Sequence, residues 1–136
     1  MTVVVDADFV LALVRRRHPR HREAVALVDT LDEDLVTSPL VLADIDRAVA
    51  AHAGADAQHA LHRDFERGAY AVRWWADALK ETLGIARRHP AVGLTTASLV
   101  ALAGRVNTRR IATFDEQFRT LTTPDGEAFV VLPADR

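Results

Sequence analysis

The chain has 136 residues and a formal net charge of −2, with 49% hydrophobic and 26% charged residues. These totals fit one soluble globular domain, 1–136, with a single core. The sequence holds no cysteine, which excludes a disulfide framework, a Cys-ligated zinc site and a thiol nucleophile. Near-neutral charge argues against strong nonspecific binding to nucleic acid, and no apolar run approaches the ~18 residues of a membrane span. The N-terminus lacks a basic lead-in, and Asp6 and Asp8 interrupt its apolar stretch, unlike a signal peptide. The expected location is the cytoplasm.

In chain order, Val3-Val4-Val5 is a β-branched run that reads as a buried parallel strand, and it ends on Asp6. A helix is expected over Asp8 to Arg17, with a break at His18-Pro19. Arg20 to Leu31 has apolar residues at Ala24, Leu27, Val28 and Leu31, a helical spacing. Leu35 to Thr37 is a short second strand. Ser38-Pro39 supplies an N-cap and a proline at the first helical position. The helix that follows turns Leu40, Val41, Ile45, Ala48 and Val49 inward as far as about His52, with Gly54 as its stop. Ala55 to Arg67 is a further amphipathic helix, Tyr70 to Val72 a strand, and Trp75 to Arg88 a helix ended by His89-Pro90. Thr95 or Thr96 is the expected cap of the next helix, in which Leu99, Val100 and Leu102 are core. Arg110 to Thr113 is a strand followed by Asp115 and a short helix, and Phe129 to Val131 is the last strand. Strands alternate with helices throughout. That pattern favours an α/β fold, a mostly parallel central sheet with helices on both faces in a three-layer α/β/α sandwich.

Asp6 and Asp115 stand at equivalent places, each just past a strand's C-terminal end. In open α/β sheets ligands bind outside those ends, at a topological switch point. Each acid could also simply cap the helix after it. Asp44 follows Leu40 by four residues and so shares the inward face of its helix, where a carboxylate needs a partner or a metal. Asp46 points to another side and reads as solvent-exposed. Three acids converging from separate elements could hold Mg²⁺ or Mn²⁺, which favour carboxylate oxygens.

The remaining candidates are weaker. His18/His21 and His59/His62 are i, i+3 pairs without an evident third ligand, and read as surface histidines. Trp74-Trp75 could stack on a base, or anchor a core or a dimer. Of the 17 basic residues Lys80 is the only lysine. Arginine offers forked donors for phosphate, although a GC-rich genome gives the same bias. Arg15 and Arg16, from the run Arg15-Arg16-Arg17, and the pair Arg87-Arg88 could position phosphates, with a solvated helix end as the default for each; Arg119 is a further candidate contact.

Two families resemble parts of this chain. Val3-Val4-Val5-Asp6-Ala7-Asp8-Phe9-Val10 is similar to the first motif of haloacid-dehalogenase-like phosphotransferases, which would make Asp6 and Asp8 the reactive pair. Those enzymes also need a lysine after a later strand and an acidic pair near the domain's end. Here Lys80 lies in a helix and no such pair follows. The second resemblance spans nearly the whole chain. It is carried by Val3-Val4-Val5-Asp6 with Leu11-Ala12-Leu13; by His21-Arg22-Glu23-Ala24; and by Thr37-Ser38-Pro39-Leu40-Val41-Leu42-Ala43-Asp44-Ile45-Asp46. Gly93-Leu94-Thr95-Thr96-Ala97-Ser98-Leu99-Val100-Ala101-Leu102-Ala103 and Ile111-Ala112-Thr113-Phe114-Asp115-Glu116-Gln117-Phe118 complete it. In order and spacing these stretches resemble a PIN-domain ribonuclease of the VapC toxin type.

That resemblance implies Mg²⁺- or Mn²⁺-dependent cleavage of single-stranded or looped RNA, inhibition by a cognate antitoxin protein, and homodimerisation. It makes Asp6, Asp44 and Asp115 the metal-binding and catalytic acids. Asp44 stands where the family usually has Glu, and Thr96 where it usually has a third essential Asp. Both departures fall in the site. They leave two readings open within the family: a ribonuclease with a weakened metal site, or a domain that binds RNA or antitoxin without cutting.

Overall fold

The computed structural model describes residues 1–136. Five strands form one sheet: β1 (Thr2–Val5), β2 (Asp34–Thr37), β3 (Ala71–Val72), β4 (Arg110–Ala112) and β5 (Val130–Leu132). Their spatial order is β3-β2-β1-β4-β5, and every pairing is parallel. Parallel strands need crossovers; six helices supply the first three, α1 (Ala7–Val14), α2 (His21–Thr30), α3 (Pro39–Ala53), α4 (Ala55–Glu66), α5 (Ala78–Arg88) and α6 (Leu94–Arg105), and the connection from β4 to β5 carries only a 3₁₀ turn over Glu116–Thr120. The result is the three-layer α/β/α sandwich that the alternating pattern predicts. No helix is long and apolar enough to cross a membrane.

The order of strands explains where the acids go. The chain leaves β1 toward β2 on one side and returns to β4 on the other, so the switch point lies between β1 and β4. Val5 pairs with Ala112, which places Asp6 and Thr113 on the next step of the same edge. Val3, Val4 and Val5 are wholly buried together with Ile111 and Ala112, so the two central strands are fixed by apolar packing on both faces. Phe9, Ile45 and Leu99, also buried, pack α1, α3 and α6 into the same core.

Several element boundaries differ from the sequence expectation, each for a local reason. Helix α1 begins at Ala7 because Asp6 caps it, and it ends at Val14, leaving Arg15 as an extended C-cap residue with Arg16 and Arg17 beyond it. Helix α5 begins at Ala78 rather than Trp75, since Trp75 to Ala78 form a turn closed by the Ala78 N–H on the Trp75 carbonyl. Helix α6 begins at Leu94 with Gly93 as its N-cap, so neither Thr95 nor Thr96 is the cap. Gly54 joins α3 to α4 at φ 89°, a left-handed conformation that favours glycine.

Candidate active site

Asp6 ends β1 as the N-cap of α1, its Oδ1 accepting the Phe9 N–H at 2.9 Å. Its Oδ2 accepts the Thr113 hydroxyl from the neighbouring strand end. Thr113 is itself buried and accepts the Asp115 N–H at 3.0 Å, so one hydroxyl links both acids. Burial pushes the Asp6 carboxyl up to about 6, and the nearby charges of Asp8 and Asp115 add to that; the bonds from Thr113 and Phe9 oppose it. A carboxylate crowded by burial and like charge is one that a cation would relieve.

Asp115 caps the 3₁₀ turn Glu116–Thr120. Its Oδ1 accepts the Gln117 backbone N–H at 3.0 Å and its Oδ2 accepts the Gln117 side-chain amide at 2.5 Å. The same amide nitrogen lies 3.3 Å from Thr96 Oγ1 on the first turn of α6. Both helix-capping roles considered from sequence are therefore real for Asp6 and Asp115. The one for Thr96 is not: that hydroxyl is turned to Gln117.

Asp44 stands on α3 beside the buried Val41 and Ile45, and its carboxylate accepts the Arg47 guanidinium one turn on. The two helices that bring Asp44 and Thr96 to the site are tied at their first turns by buried hydroxyls. Val41 N–H donates to Ser38 Oγ at 3.2 Å, Ser38 Oγ lies 2.7 Å from Ser98 Oγ, and Ser98 donates to the Thr95 carbonyl at 2.6 Å. Each hydroxyl has one proton. Since Ser98 donates its own to Thr95, Ser38 must donate to Ser98, and the chain of bonds has one direction.

Asp6, Asp44, Thr96 and Asp115 line one cleft of ≈ 180 Å³, with Asp8, Val41, Thr95 and Leu99 as further walls. Asp8 lies in the first turn of α1, and His18 Nε2 approaches it at 3.9 Å. A larger cavity of ≈ 400 Å³ sits at the opposite edge of the sheet, lined by Asn107, Thr108, Arg109 and Glu127, among others. Its two acids, Asp125 and Glu127, share the lining with Arg109 and Arg110, and Arg109 lies 3.8 Å from Glu127. The acid cleft is thus the smaller cavity but the one with chemistry.

Its donor set suits a divalent cation, being hard carboxylate oxygens on separate elements. Yet no group of three or more acidic or histidine side chains converges closely enough to hold one ion. Each acid instead has a partner within the fold: Asp6 is held by Thr113, Asp115 by Gln117 and Asp44 by Arg47. Thr96 brings no charge to the fourth wall.

Several other sequence candidates are engaged elsewhere in the fold. Arg119 forks onto Asp135 at 2.6 and 2.8 Å and also nears Glu116 at 3.7 Å, which raises its pKa. Arg15 is half-buried and Arg16 exposed, at the far end of α1 from Asp6. His21 Nδ1 bonds the Ala12 carbonyl at 2.7 Å, joining α2 to α1 rather than facing solvent. His62 and Gln58 on α4 both bond Asp46, so Asp46 ties α3 to α4 and its pKa is lowered, chiefly by His62. Trp75 bonds Glu81 at 3.1 Å and lies under Arg105, while Trp74 is exposed. Thr113 and Gln117 were not singled out by sequence reasoning. The available signal was local: a side-chain acceptor followed two residues later by its donor is an Asx-type turn.

Comparison with known proteins adds to this geometry. Residues 3–123 match the PIN domain family. Ribonuclease VapC26 of Mycobacterium tuberculosis is 30% identical over 135 residues, covering 96% of this chain and all (100%) of that protein. Among solved structures, VapC20 of Mycobacterium tuberculosis, described as a sarcin–ricin loop cleaving toxin, superposes with a TM-score of 0.76 at 22% identity, covering 83% of this chain and 89% of that one. VapBC2 from Rickettsia felis, bound to a promoter DNA fragment, gives 0.70 at 14% identity over 96% of this chain and 97% of that one. A toxin–antitoxin complex from Klebsiella pneumoniae gives 0.66 at 11% identity over 85% and 88%. The structures support the fold, and the family match and the 30% relative support the kinship. The chain belongs to the PIN-domain family and is of the VapC toxin type.

Proposed function

We propose that this chain is a divalent-metal-dependent endoribonuclease, the toxin half of a toxin–antitoxin pair, with a metal site weakened by Thr96. The observation that carries this reading is the meeting of Asp6, Asp44, Thr96 and Asp115 in one cleft at the switch point of the sheet. The kinship with a ribonuclease over the full length of that relative supports the choice of RNA as substrate. Mg²⁺ or Mn²⁺ would be held by Asp6 and Asp115, with Asp44 from the facing helix. When bound, the ion supplies Lewis acidity toward the scissile phosphate and a nucleophile at neutral pH.

The chain's own residues set the stage for that chemistry. Thr113 orients the Asp6 carboxylate and fixes the backbone of Asp115, holding the two strand-end acids in register. The Ser38–Ser98 link holds α3 against α6, and so Asp44 against Thr96. Thr96 offers a hydroxyl donor in place of a carboxylate, so the cleft has one negative charge fewer to hold an ion. Arg15 and Arg16 are free of ion pairs and are the cations assigned to substrate phosphates. Arg119 instead holds the C-terminal segment through Asp135. By analogy with the solved toxin–antitoxin complexes, the partner is a cognate antitoxin protein; a homodimer of single-domain protomers in the cytoplasm completes the proposal.

A specific observation favours a second reading, that the domain binds RNA or antitoxin without cutting: no three side chains yet converge on one ion. Incubation of the purified chain with RNA and millimolar Mn²⁺ separates the two. Cleavage that disappears with EDTA and in D6N supports the enzyme, whereas cleavage that survives in D6N refutes it. A silent wild type that gains activity in T96D supports the second reading instead.

A further inference from the structure

Gln117 is the side chain that joins two walls of the acid cleft. Its amide nitrogen carries two protons. One reaches Asp115 Oδ2 at 2.5 Å, and Thr96 Oγ1 lies 3.3 Å from the same nitrogen. Its backbone N–H holds the other Asp115 oxygen at 3.0 Å. Both oxygens of Asp115 are therefore set by one residue, and the 3₁₀ turn is tied to α6 across the cleft. Thr96 accepts through its hydroxyl oxygen, which leaves its own proton to donate into the cavity.

Resting on the metal-site reading above, we infer that Gln117 is a positioning residue for the cation. It fixes the Asp115 carboxylate and, through Thr96, braces the wall that lacks an acid. A side chain of the same length without the amide leaves the fold in place but frees Asp115 to rotate. Loss of a hydrogen bond that orients a metal-ligating carboxylate costs about 10–100-fold in metal affinity. The Thr96 hydroxyl matters for the same bridge, so its removal and that of the amide are not independent.

The test is direct Mn²⁺ binding, followed by the electron-paramagnetic signal of free Mn²⁺, on wild type, Q117M, T96V and the double variant. Melting in EDTA confirms that each variant is folded, with Q117A as the substitute should Q117M not fold. The expected result is about a 10-fold or greater rise in Kd for Q117M, a smaller rise for T96V, and a double variant no weaker than Q117M. Wild-type affinity in a folded Q117M, or losses that multiply in the double variant, would overturn the bridge. Absence of Mn²⁺ binding in wild type and in T96D alike would overturn the metal-site reading, and this inference with it.

Discussion

Replacing Asp6 by Asn should stabilise the metal-free protein at neutral pH, against the usual outcome for a residue so tightly placed. The Asp6 carboxyl titrates at about 6 in the fold against an ordinary value of 3.8, because burial and the charges of Asp8 and Asp115 disfavour its ionised form. A raised carboxyl pKa favours the fold fully below pH 3.8, and that advantage is lost as pH rises through about 6. Above that pH the ionised group costs at most about 3 kcal/mol. Partial exposure and one bond to Thr113 that Asn cannot reproduce in the same way reduce the gain to about 1–2 kcal/mol. Asn still caps α1 through the Phe9 N–H. For a chain of this size the gain corresponds to a Tm rise of about 3–10 °C. Thermal melts in EDTA at pH 7.5 and at pH 4.5 provide the assay. D6N should melt higher than wild type at pH 7.5, with the gap closing at pH 4.5. Equal melting at pH 7.5, or a gap that persists unchanged at pH 4.5, refutes the electrostatic reasoning.

Three further outcomes follow from the same geometry. Mn²⁺ at about ten times its Kd should stabilise wild type by about 1.4 kcal/mol and leave D6N unmoved in the same melt; equal shifts in both would place the ion elsewhere. S98A leaves the buried Ser38 hydroxyl without its acceptor, so denaturant titration should show a loss of about 1–3 kcal/mol; a loss under about 0.5 kcal/mol would mean the link between α3 and α6 holds nothing. G104A brings a methyl group to 2.6 Å from Pro124 Cγ. The clash outweighs the better helix propensity of alanine, giving a net loss of about 1–2 kcal/mol in the same titration; a more stable G104A would show that Pro124 moves aside without cost.

Much of this fold was legible because its signals are short-range. Val3 to Val5, the Ser38-Pro39 start and the Gly54 stop each act within a few residues, and the structure places β1, α3 and the α3–α4 joint where those signals put them. The start of α6 was not legible. Thr95 and Thr96 both look like caps, and only the approach of Gln117 from a segment 21 residues away shows that Thr96 is occupied otherwise. For the site, the placement of Asp6 and Asp115 past parallel strands was enough to predict that they meet. What each carboxylate bonds was beyond the sequence, since Thr113 on Asp6 depends on the register of β1 with β4. His21 illustrates the same limit: it resembles a surface residue in the sequence and joins α2 to α1 in the fold.

The most direct test of the metal-dependent nuclease is the anomalous density of Mn²⁺ in crystals of the wild-type chain soaked at millimolar concentration. A single ion ligated by Asp6 and Asp115, with Asp44 turned from Arg47 toward it, is the predicted result. A cleft that stays empty while Asp44 remains paired with Arg47 would contradict it.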